Sequence, residues 1–358
     1  MGFLVDDTWT VRRILSWIEG YLQNKGDENP RLSAQWLVSD ALGVGRIDLF
    51  MDPERPLSES ERATLRDFTR RRGTGEPLQY ITGTTDFRFI TVEVERGVLI
   101  PRPETEVLVS EALTRLDAVS KVKQARIAAA ERALIRDMAP QTLDQGGNDP
   151  ESGASQGQPG MQGLEEPSEH VMQDAENSLL AEPPEPSLLV ADVCTGSGCI
   201  ACSIATEVPH AQVVATDIDP KAVALARRNA ENLGVADRVC VLESDLGSAI
   251  DPELLGSFDL VISNPPYIPS GILATLDTQV RDFESALALD GGEDGLDVFR
   301  RLVPFAFDAL APQGVLAVEL HETCLDQAAE LAEDAGFEDV VTACDLAGRP
   351  RVLLARKG

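Results

Sequence analysis

The chain has 358 residues, 43% of them hydrophobic, and a formal net charge of −29 at pH 7. That length accommodates two domains, or one large domain with additions. A surface this acidic repels nucleic-acid phosphates unless a basic patch is segregated locally, and no apolar run approaches the ~18 residues that a membrane span needs. The opening MGFLVDDTWT lacks a basic n-region ahead of an apolar stretch, and Asp6 stands where a myristoylation site carries Ser or Thr, so the expected location is cytoplasmic.

Residues 8 to about 76 read as short amphipathic helices. Val11, Ile14, Leu15, Ile18 and Leu22 recur at helical spacing after Thr8 or Thr10 as N-cap. RLSAQWLVSDALG repeats the pattern and stops at Gly43, a C-cap residue, while Ser58 and Glu61 have capping-box spacing ahead of a helix that ends at Gly73. Together they predict a small N-terminal bundle over residues 1–78, a recognition or packing module. Arg70, Arg71 and Arg72 are its best basic candidates and read as a solvated helix face. At residues 79–100 the period changes: Phe87, Phe89, Val92 and Val94 alternate imperfectly, as in a hairpin. Pro103 then suits the first turn of a helix, with Glu104 and Glu106 at its positive end.

Residues 118–187 break the pattern. Up to Met138 the sequence is Ala-rich and can extend the preceding helix; from Ala139 to Ser187 it is Pro, Gly, Gln, Ser and Glu with few large apolar residues. Such a stretch cannot bury enough apolar surface to offset its ordering entropy, and it reads as a disordered acidic insert, a passive linker rather than a regulatory element. From residue 188 strands alternate with helices: SLLVADV, AQVVATDI, RVCVLES, FDLVISN and GVLAVEL, then FEDVVTACD and RPRVLLARK. This predicts an α/β domain over residues 101–358, its largely parallel sheet covered on both faces and its ligands at the carboxyl ends of the strands.

Candidate site residues fall at those ends. After the first strand, Thr195-Gly196-Ser197-Gly198 turns into a helix whose free N–H groups suit a carboxylate or phosphate, but the third glycine of a dinucleotide fingerprint is missing. Asp217 ends the next strand, placed to accept hydrogen bonds from ribose hydroxyls, and Asp219 before Pro220 suits a helix cap. Glycine turn and strand-end acid together indicate a nucleoside-bearing cofactor. Asp245 and Leu246 end the third strand, where they would border its base; Asp245 alone also fits a plain turn. In VISNPPYIPS two prolines stop the fourth strand and hold Asn264 at its end. An asparagine amide paired with the Pro265 carbonyl can accept both hydrogens of a planar NH2 group, and Tyr267 can pack on its face. Cys194, Cys199 and Cys202, with Cys240, have a spacing that also suits an iron–sulfur site, but the glycine turn accounts for them better; they read as small buried hydrophobes. His170, His210 and His321 show no metal-ligand spacing, so no metal is expected.

PLQYITG (77–83), LIPRPETE (99–106), DVCTGSGCIA, ISNPPYIP and ALDGGEDGLDVFRRL (288–302) occur in this order over nearly the whole chain outside the insert. In them the sequence resembles the class I S-adenosylmethionine-dependent methyltransferases, and within these the HemK/PrmC family. The resemblance implies a Rossmann-like, mostly parallel seven-stranded sheet, an N-terminal helical domain and a β-hairpin linker. It implies N5-methylation of the glutamine in the Gly-Gly-Gln motif of peptide chain release factors. It further implies S-adenosylmethionine held by Cys194, Thr195, Gly196, Ser197, Gly198, Asp217, Asp245, Leu246 and Asn264, and the glutamine held by Asn264, Pro265, Pro266 and Tyr267. Asn264, Pro265 and Tyr267 would be the catalytic groups. Two departures stand out: Cys194 replaces the family's usual glycine, and the acidic insert precedes the first strand. Other readings are a ribosomal-protein glutamine methyltransferase, an enzyme for exocyclic amines of DNA or RNA, and an inactive binding module; the acidic balance disfavours a nucleic-acid substrate.

Overall fold

The computed structural model of the protein describes residues 8–138 and 185–358. It divides into two compact units, Met1–Asp117 with Ser187–Gly358, and Ala118–Pro186. The opening residues 1–7 and residues 139–184 of the stretch expected to be disordered lie outside the described residues.

Five helices open the first unit: α1 (Val11–Asn24), α2 (Pro30–Leu42), α3 (Asp48–Met51), α4 (Glu59–Arg72) and α5 (Leu78–Thr82). Thr10 caps α1 and a capping box formed by Ser58 and Glu61 starts α4, while Gly43 ends α2 with a left-handed φ of 62°. Ile18, Leu22, Leu37, Leu49 and Leu65 fill the centre of this bundle, each contributing about 1.5–3 kcal/mol through burial.

The arginine triplet does not form a plain solvated face. Arg70 pairs with Asp67, Arg71 with Glu76, and Arg72 with Asp27 at 2.6 Å in a nearly fully buried pair. Burial raises the pKa of Asp27, but bonds from Arg72, Asn29 and Ser33 outweigh it and hold the carboxyl below its usual range. The Arg72 guanidinium also donates to Gln279 Oε1 at 2.7 Å, joining the bundle to the segment that follows the NPPY stretch.

Strands β1 (Thr84–Phe87) and β2 (Ile90–Glu93) pair as an antiparallel hairpin. The imperfect alternation has a simple origin: Arg88 and Phe89 form the turn, Arg88 with φ 52°, so Phe89 is exposed while Phe87, Val92 and Val94 are buried. Helix α6 runs over Pro103–Met138; its part up to Asp117 belongs to the first unit and buries Leu108, Val109, Ala112 and Leu116. In the second unit the described residues from Ala118 to Met138 continue this helix.

The sheet comprises β3 (Leu188–Val193), β4 (Ala211–Asp217), β5 (Val239–Glu243), β6 (Phe258–Ser263), β7 (Leu310–Glu319), β8 (Phe337–Cys344) and β9 (Pro350–Lys357), in the order β5-β4-β3-β6-β7-β9-β8. Only β9 runs against its neighbours. Helices α7 (Cys199–Glu207), α8 (Pro220–Asn232), α10 (Asp297–Ala309) and α11 (Leu325–Asp334) connect the strands, with a short α9 (Thr278–Arg281) between β6 and α10. Both β3 and β6 are almost wholly buried, and their largely apolar composition follows from helices lying on both faces.

Removing one partner of a buried ion pair leaves an uncompensated charge, at a cost of about 3–5 kcal/mol. Asp27→Ala is therefore expected to lower the urea unfolding midpoint by an amount corresponding to that range, whereas Asp67→Ala at the exposed Arg70 pair shifts it by less than about 1 kcal/mol.

Candidate active site

Three strand ends meet where the strand order reverses. β3 pairs with β4 on one side and β6 on the other, so Val193 lies opposite both Thr216 and Ser263. The chain runs outward from β3 through β4 to β5, then returns to place β6 on the far side of β3. Crevices at such switch points take ligands in open α/β sheets.

The turn after β3 is held from behind. Asp192, fully buried, accepts from the Thr195 hydroxyl at 2.6 Å and the Ala201 N–H at 3.1 Å, and burial pushes its pKa up to about 7. Asn229, on α8, donates to the Ser197 carbonyl at 2.8 Å and bonds the Glu93 backbone in both directions, joining turn to hairpin. Asp217 Oδ2 accepts from the Gly196 N–H at 2.9 Å, while Asp219 caps α8 through the Lys221 N–H. The two glycines have different reasons. A Cβ at Gly198 would lie 3.0 Å from Ala226 Cα, so this glycine lets α7 and α8 pack closely. A Cβ at Gly196 would meet nothing, so this position, with φ 57°, leaves bare backbone facing open space.

Thr195, Gly196 and Ser197 line a cavity of about 90 Å³ together with Cys194, Asp217, Asn264 and Pro266. Leu99, Arg102 and Thr105 close one side and Ser285, Leu287 and Ala288 another. Among the described residues the buried Ser197 hydroxyl has no aligned hydrogen-bond partner beyond the neighbouring Cys199 thiol, and the backbone is uncovered at Gly196. These features fit a ligand with a polar end, such as the methionine part of S-adenosylmethionine. Asp217, half-buried at the same wall, fits ribose hydroxyls; burial raises its pKa against the bonds it accepts.

A second cavity, of about 300 Å³, is lined by Pro265, Tyr267, Leu276, Val280, Leu289 and Glu319. Asn264, Leu99, Arg102 and Ala288 line both cavities. Asn264 Nδ2 donates to Thr105 Oγ1 at 3.0 Å, and the Tyr267 hydroxyl donates to Glu319 Oε1 at 3.0 Å. Burial and the adjacent Glu319 carboxylate push the Tyr267 pKa far above its usual value, so the phenol stays protonated. Burial also raises the pKa of Glu319, with the bond from Tyr267 and the nearby Thr105 hydroxyl opposing it. Arg102 pairs with Glu284 at 2.5 Å beside the Ser285–Ala288 wall.

The loop carrying Tyr267 is braced by the ALDGGEDGLDV segment. Ile268 N–H donates to the Leu289 carbonyl at 2.9 Å, Gly291 N–H returns a bond to the Ile268 carbonyl at 2.8 Å, and a Cβ at Gly291 would lie 2.7 Å from Tyr267 Cα. Within PLQYITG, the Tyr80 hydroxyl donates to the Val98 carbonyl at 2.6 Å and fixes the strip that leads to Leu99.

Of the residues singled out in the sequence, Cys194, Thr195, Gly196, Ser197, Asp217, Asn264 and Pro266 meet at the first cavity, and Asn264, Pro265 and Tyr267 at the second. Gly198 stands behind the turn as a packing residue. Asp245 and Leu246 are not among the residues lining either cavity: Asp245 pairs with Arg301 at 2.6 Å on the surface, and Leu246 has φ 51° and packs against the main core. Sequence reasoning assigned no role to Leu99, Arg102, Thr105 or Glu319. The signals were present: three of them lie inside LIPRPETE, and Glu319 is a carboxylate at the end of an apolar strand.

Cys194 has φ 64°, a conformation that costs a non-glycine residue about 1–2 kcal/mol. Burial pushes its thiol up to about 12, so it is neutral near pH 7. Cys194→Gly relieves the backbone cost but adds unfolded-chain entropy of about 0.4–1 kcal/mol. Thermal melts of Cys194→Gly are expected to match or slightly exceed wild type, with S-adenosylhomocysteine affinity by calorimetry within about threefold; Cys194→Val, β-branched at positive φ, should lose stability.

Residues 13–83 match the family described as PrmC N-terminal domain, and residues 168–288 the family described as methyltransferase small domain. A Geobacter sulfurreducens protein named release factor glutamine methyltransferase is 37% identical over 352 residues, covering 98% of each chain. Proteins of the same name from Rhodopirellula baltica and Caulobacter vibrioides are 33% and 32% identical, covering 98% and 97% of this chain and equal shares of their own. With a seven-stranded, mostly parallel sheet and a cavity at its switch point, the chain belongs to the release factor glutamine methyltransferase family, a class I methyltransferase family.

Proposed function

We propose that the protein transfers the methyl group of S-adenosylmethionine to the side-chain amide nitrogen of the glutamine in the Gly-Gly-Gln loop of peptide chain release factors. The observation that carries this reading is the position of Asn264 in the wall shared by the two cavities, its donor side taken by Thr105 and its carbonyl oxygen left for an incoming N–H.

An amide nitrogen is a weak nucleophile because its lone pair is delocalised into the carbonyl. Asn264 Oδ1 and the Pro265 carbonyl are both acceptors, and together they hold the two hydrogens of one planar NH2 group. They thereby fix the plane of the nitrogen and its direction toward the first cavity, which is mainly a contribution of orientation. The same two oxygens stabilise positive charge developing on that nitrogen. Tyr267, held by Glu319, presents its ring to the second cavity. Leu99, Leu276, Val280 and Leu289 surround the aliphatic stem of the side chain and exclude water.

S-adenosylmethionine is the cofactor general to this methyltransferase fold, and when bound it supplies an electrophilic sulfonium methyl. The Thr195–Ser197 backbone, the Ser197 hydroxyl and Asp217 are the groups of this chain that would hold it. The bundle provides a second surface for a protein substrate: Ile47 and Met51 are 78% exposed, and Trp36 and Phe50 are half-exposed. We assign to it the docking of the release factor.

The test is to incubate the enzyme with labelled S-adenosylmethionine and either a release factor, ribosomal protein or DNA, and to locate the methyl group by mass spectrometry. Label on the Gly-Gly-Gln glutamine is expected; label only in ribosomal protein or DNA overturns the assignment. Asn264→Ala is expected to lower kcat by at least about 100-fold while S-adenosylhomocysteine affinity changes by no more than a few-fold.

A further inference from the structure

Residues 270–288, which follow the Asn-Pro-Pro-Tyr turn, wall both cavities yet bury almost nothing of their own. Leu276 and Val280 line the second cavity, Ser285 and Leu287 the first, and Ala288 both. The stretch forms two 3-10 turns (Ser270–Thr275 and Ala286–Ala288) with α9 between them, and among its described residues Glu284 alone is buried. Its ends are tied together: Ile268 N–H donates to the Leu289 carbonyl at 2.9 Å, and Ser270 N–H to the Gly292 carbonyl at 2.8 Å. Between those ties the loop has too little apolar burial to offset the entropy of being ordered. Its position has to be set from outside.

Three arginines of the N-terminal part of the chain supply such contacts. Arg72, at the end of α4, donates from Nη1 to Gln279 Oε1 at 2.7 Å. Arg96 donates to the Asp282 carbonyl at 3.2 Å and lies 4.9 Å over the Phe283 ring, and Arg102 donates to Glu284 Oε1 at 2.5 Å. Arg96 is exposed and Arg102 half-buried, but Arg72 is buried and comes from the bundle. Its Nε donates to Asp27 Oδ2 at 2.6 Å, and Nη1 also donates to the Glu76 carbonyl at 3.0 Å. The guanidinium is therefore seated in the bundle before it meets Gln279. Arginine has donors only, so it also selects which end of the Gln279 amide faces it: the oxygen. On the loop's side the Gln279 N–H donates to Asp277 Oδ1 at 2.8 Å, so the residue is held by backbone and side chain alike. Leu276 and Val280 stand on either side of it in the chain. The junction around the bond is open, because Arg72, Gln279, Asp277, Lys25 and Thr74 line a cavity of about 320 Å³, and packing there does not duplicate the bond.

We propose that Arg72 is a positioning residue for the second cavity: seated on Asp27 in the bundle, it holds Gln279 and with it the Leu276 and Val280 wall. The bundle, assigned above to docking of the substrate protein, then also sets the shape of the cavity that the substrate side chain enters. The proposal rests on the release-factor reading for what enters that cavity, but not for the clamp on the loop, which is measured in the free enzyme.

The discriminating variant is Gln279→Ala, which removes the acceptor and leaves the Asp27–Arg72 pair in place; Gln279→Glu restores an acceptor. The N–H groups of Val280, Asp282 and Glu284 bond within the loop, and their exchange with solvent reports on its order. In the free enzyme Gln279→Ala is expected to speed that exchange about tenfold, the scale of one lost hydrogen bond to a charged donor, and Gln279→Glu to keep the wild-type rate. With release factor as substrate, Gln279→Ala should raise KM about tenfold, with kcat and S-adenosylhomocysteine affinity changed less than about threefold, because the wall contributes binding and not chemistry. Arg281→Ala, on the same short helix but paired at the surface with Asp282, should leave both readouts unchanged. Arg72→Lys keeps a charge for Asp27 but loses the fork that reaches Gln279, so it should reproduce Gln279→Ala, and the double variant should be no worse than the worse single one. Exchange or KM unchanged in Gln279→Ala, a Gln279→Glu enzyme as impaired as Gln279→Ala, an equal effect of Arg281→Ala, or multiplicative losses in the double variant would each overturn the proposal. Should Arg72→Lys fail to fold, the Gln279 and Arg281 variants decide. A wild-type enzyme that shows the exchange pattern but methylates no release factor fails the substrate assignment and leaves the clamp intact.

Discussion

The parallel pairing of β3 with β6 is the constraint on which the rest of the site depends. Its register places Val193 beside Ser263, so the two chains leave the sheet side by side, one into the glycine turn and the other into Asn-Pro-Pro-Tyr. Ser263 reinforces the junction by donating to the Val193 carbonyl at 2.6 Å. Because side chains alternate faces with a period of two, a slip of one residue would turn Asp192 and Ser263 to the wrong faces and separate the two cavities. Full burial on both faces makes such a slip costly, so the relation of the two loops is set by the hydrophobic core rather than by the loops.

Around that junction, each motif stretch of the sequence acts on a neighbour rather than on the cavity alone. LIPRPETE places Thr105 in the first turn of α6, where it bonds Asn264, and Arg102 against Glu284. PLQYITG contributes a buried tyrosine that holds the Val98 carbonyl. Gly291 and Gly295 of ALDGGEDGLDV allow a close approach to the Tyr267 backbone that any side chain would prevent. The bonds Asn264–Thr105, Tyr267–Glu319 and Arg102–Glu284 each cross between segments far apart in sequence. Such networks are costly when broken, and they make the site rigid before any ligand enters.

Most of the fold was legible because its signals are local. A capping box, glycine stops, largely apolar strands and βα alternation specify helices and a parallel sheet without long-range information. Thr195, Gly196, Ser197, Asp217 and Asn264 were legible for the same reason, since each stands at a strand end. What was hidden depends on pairing across distance. Thr105 and Glu319 are unremarkable in sequence, and only folding brings them to Asn264 and Tyr267. Arg72 read as part of a solvated face because nothing local shows that Asp27, 45 residues earlier, buries with it. Asp245 was placed by strand-end logic, yet Arg301 on α10 holds it at the surface.

The chemistry of the tetrapeptide does not by itself choose a substrate. Two carbonyl acceptors suit the N6 amine of adenine as well as the amide of glutamine, since both are planar NH2 groups. The choice must come from what surrounds them. The second cavity pairs an apolar lining, Leu276, Val280 and Leu289, with Glu104 and Glu319 beside Arg102 and Arg351, and the formal net charge of the chain is −29. A flexible aliphatic stem fits such a lining without electrostatic cost, whereas a nucleotide brings phosphates toward carboxylates. The arginines that offer themselves as a counterweight are paired with acids: Arg70, Arg71 and Arg72 within the bundle, Arg102 with Glu284, and Arg351, which also lines the cavity, with Asp345 at 3.6 Å. That internal pairing of the cations nearest the cavity, more than the tetrapeptide, is what favours a protein side chain over a base.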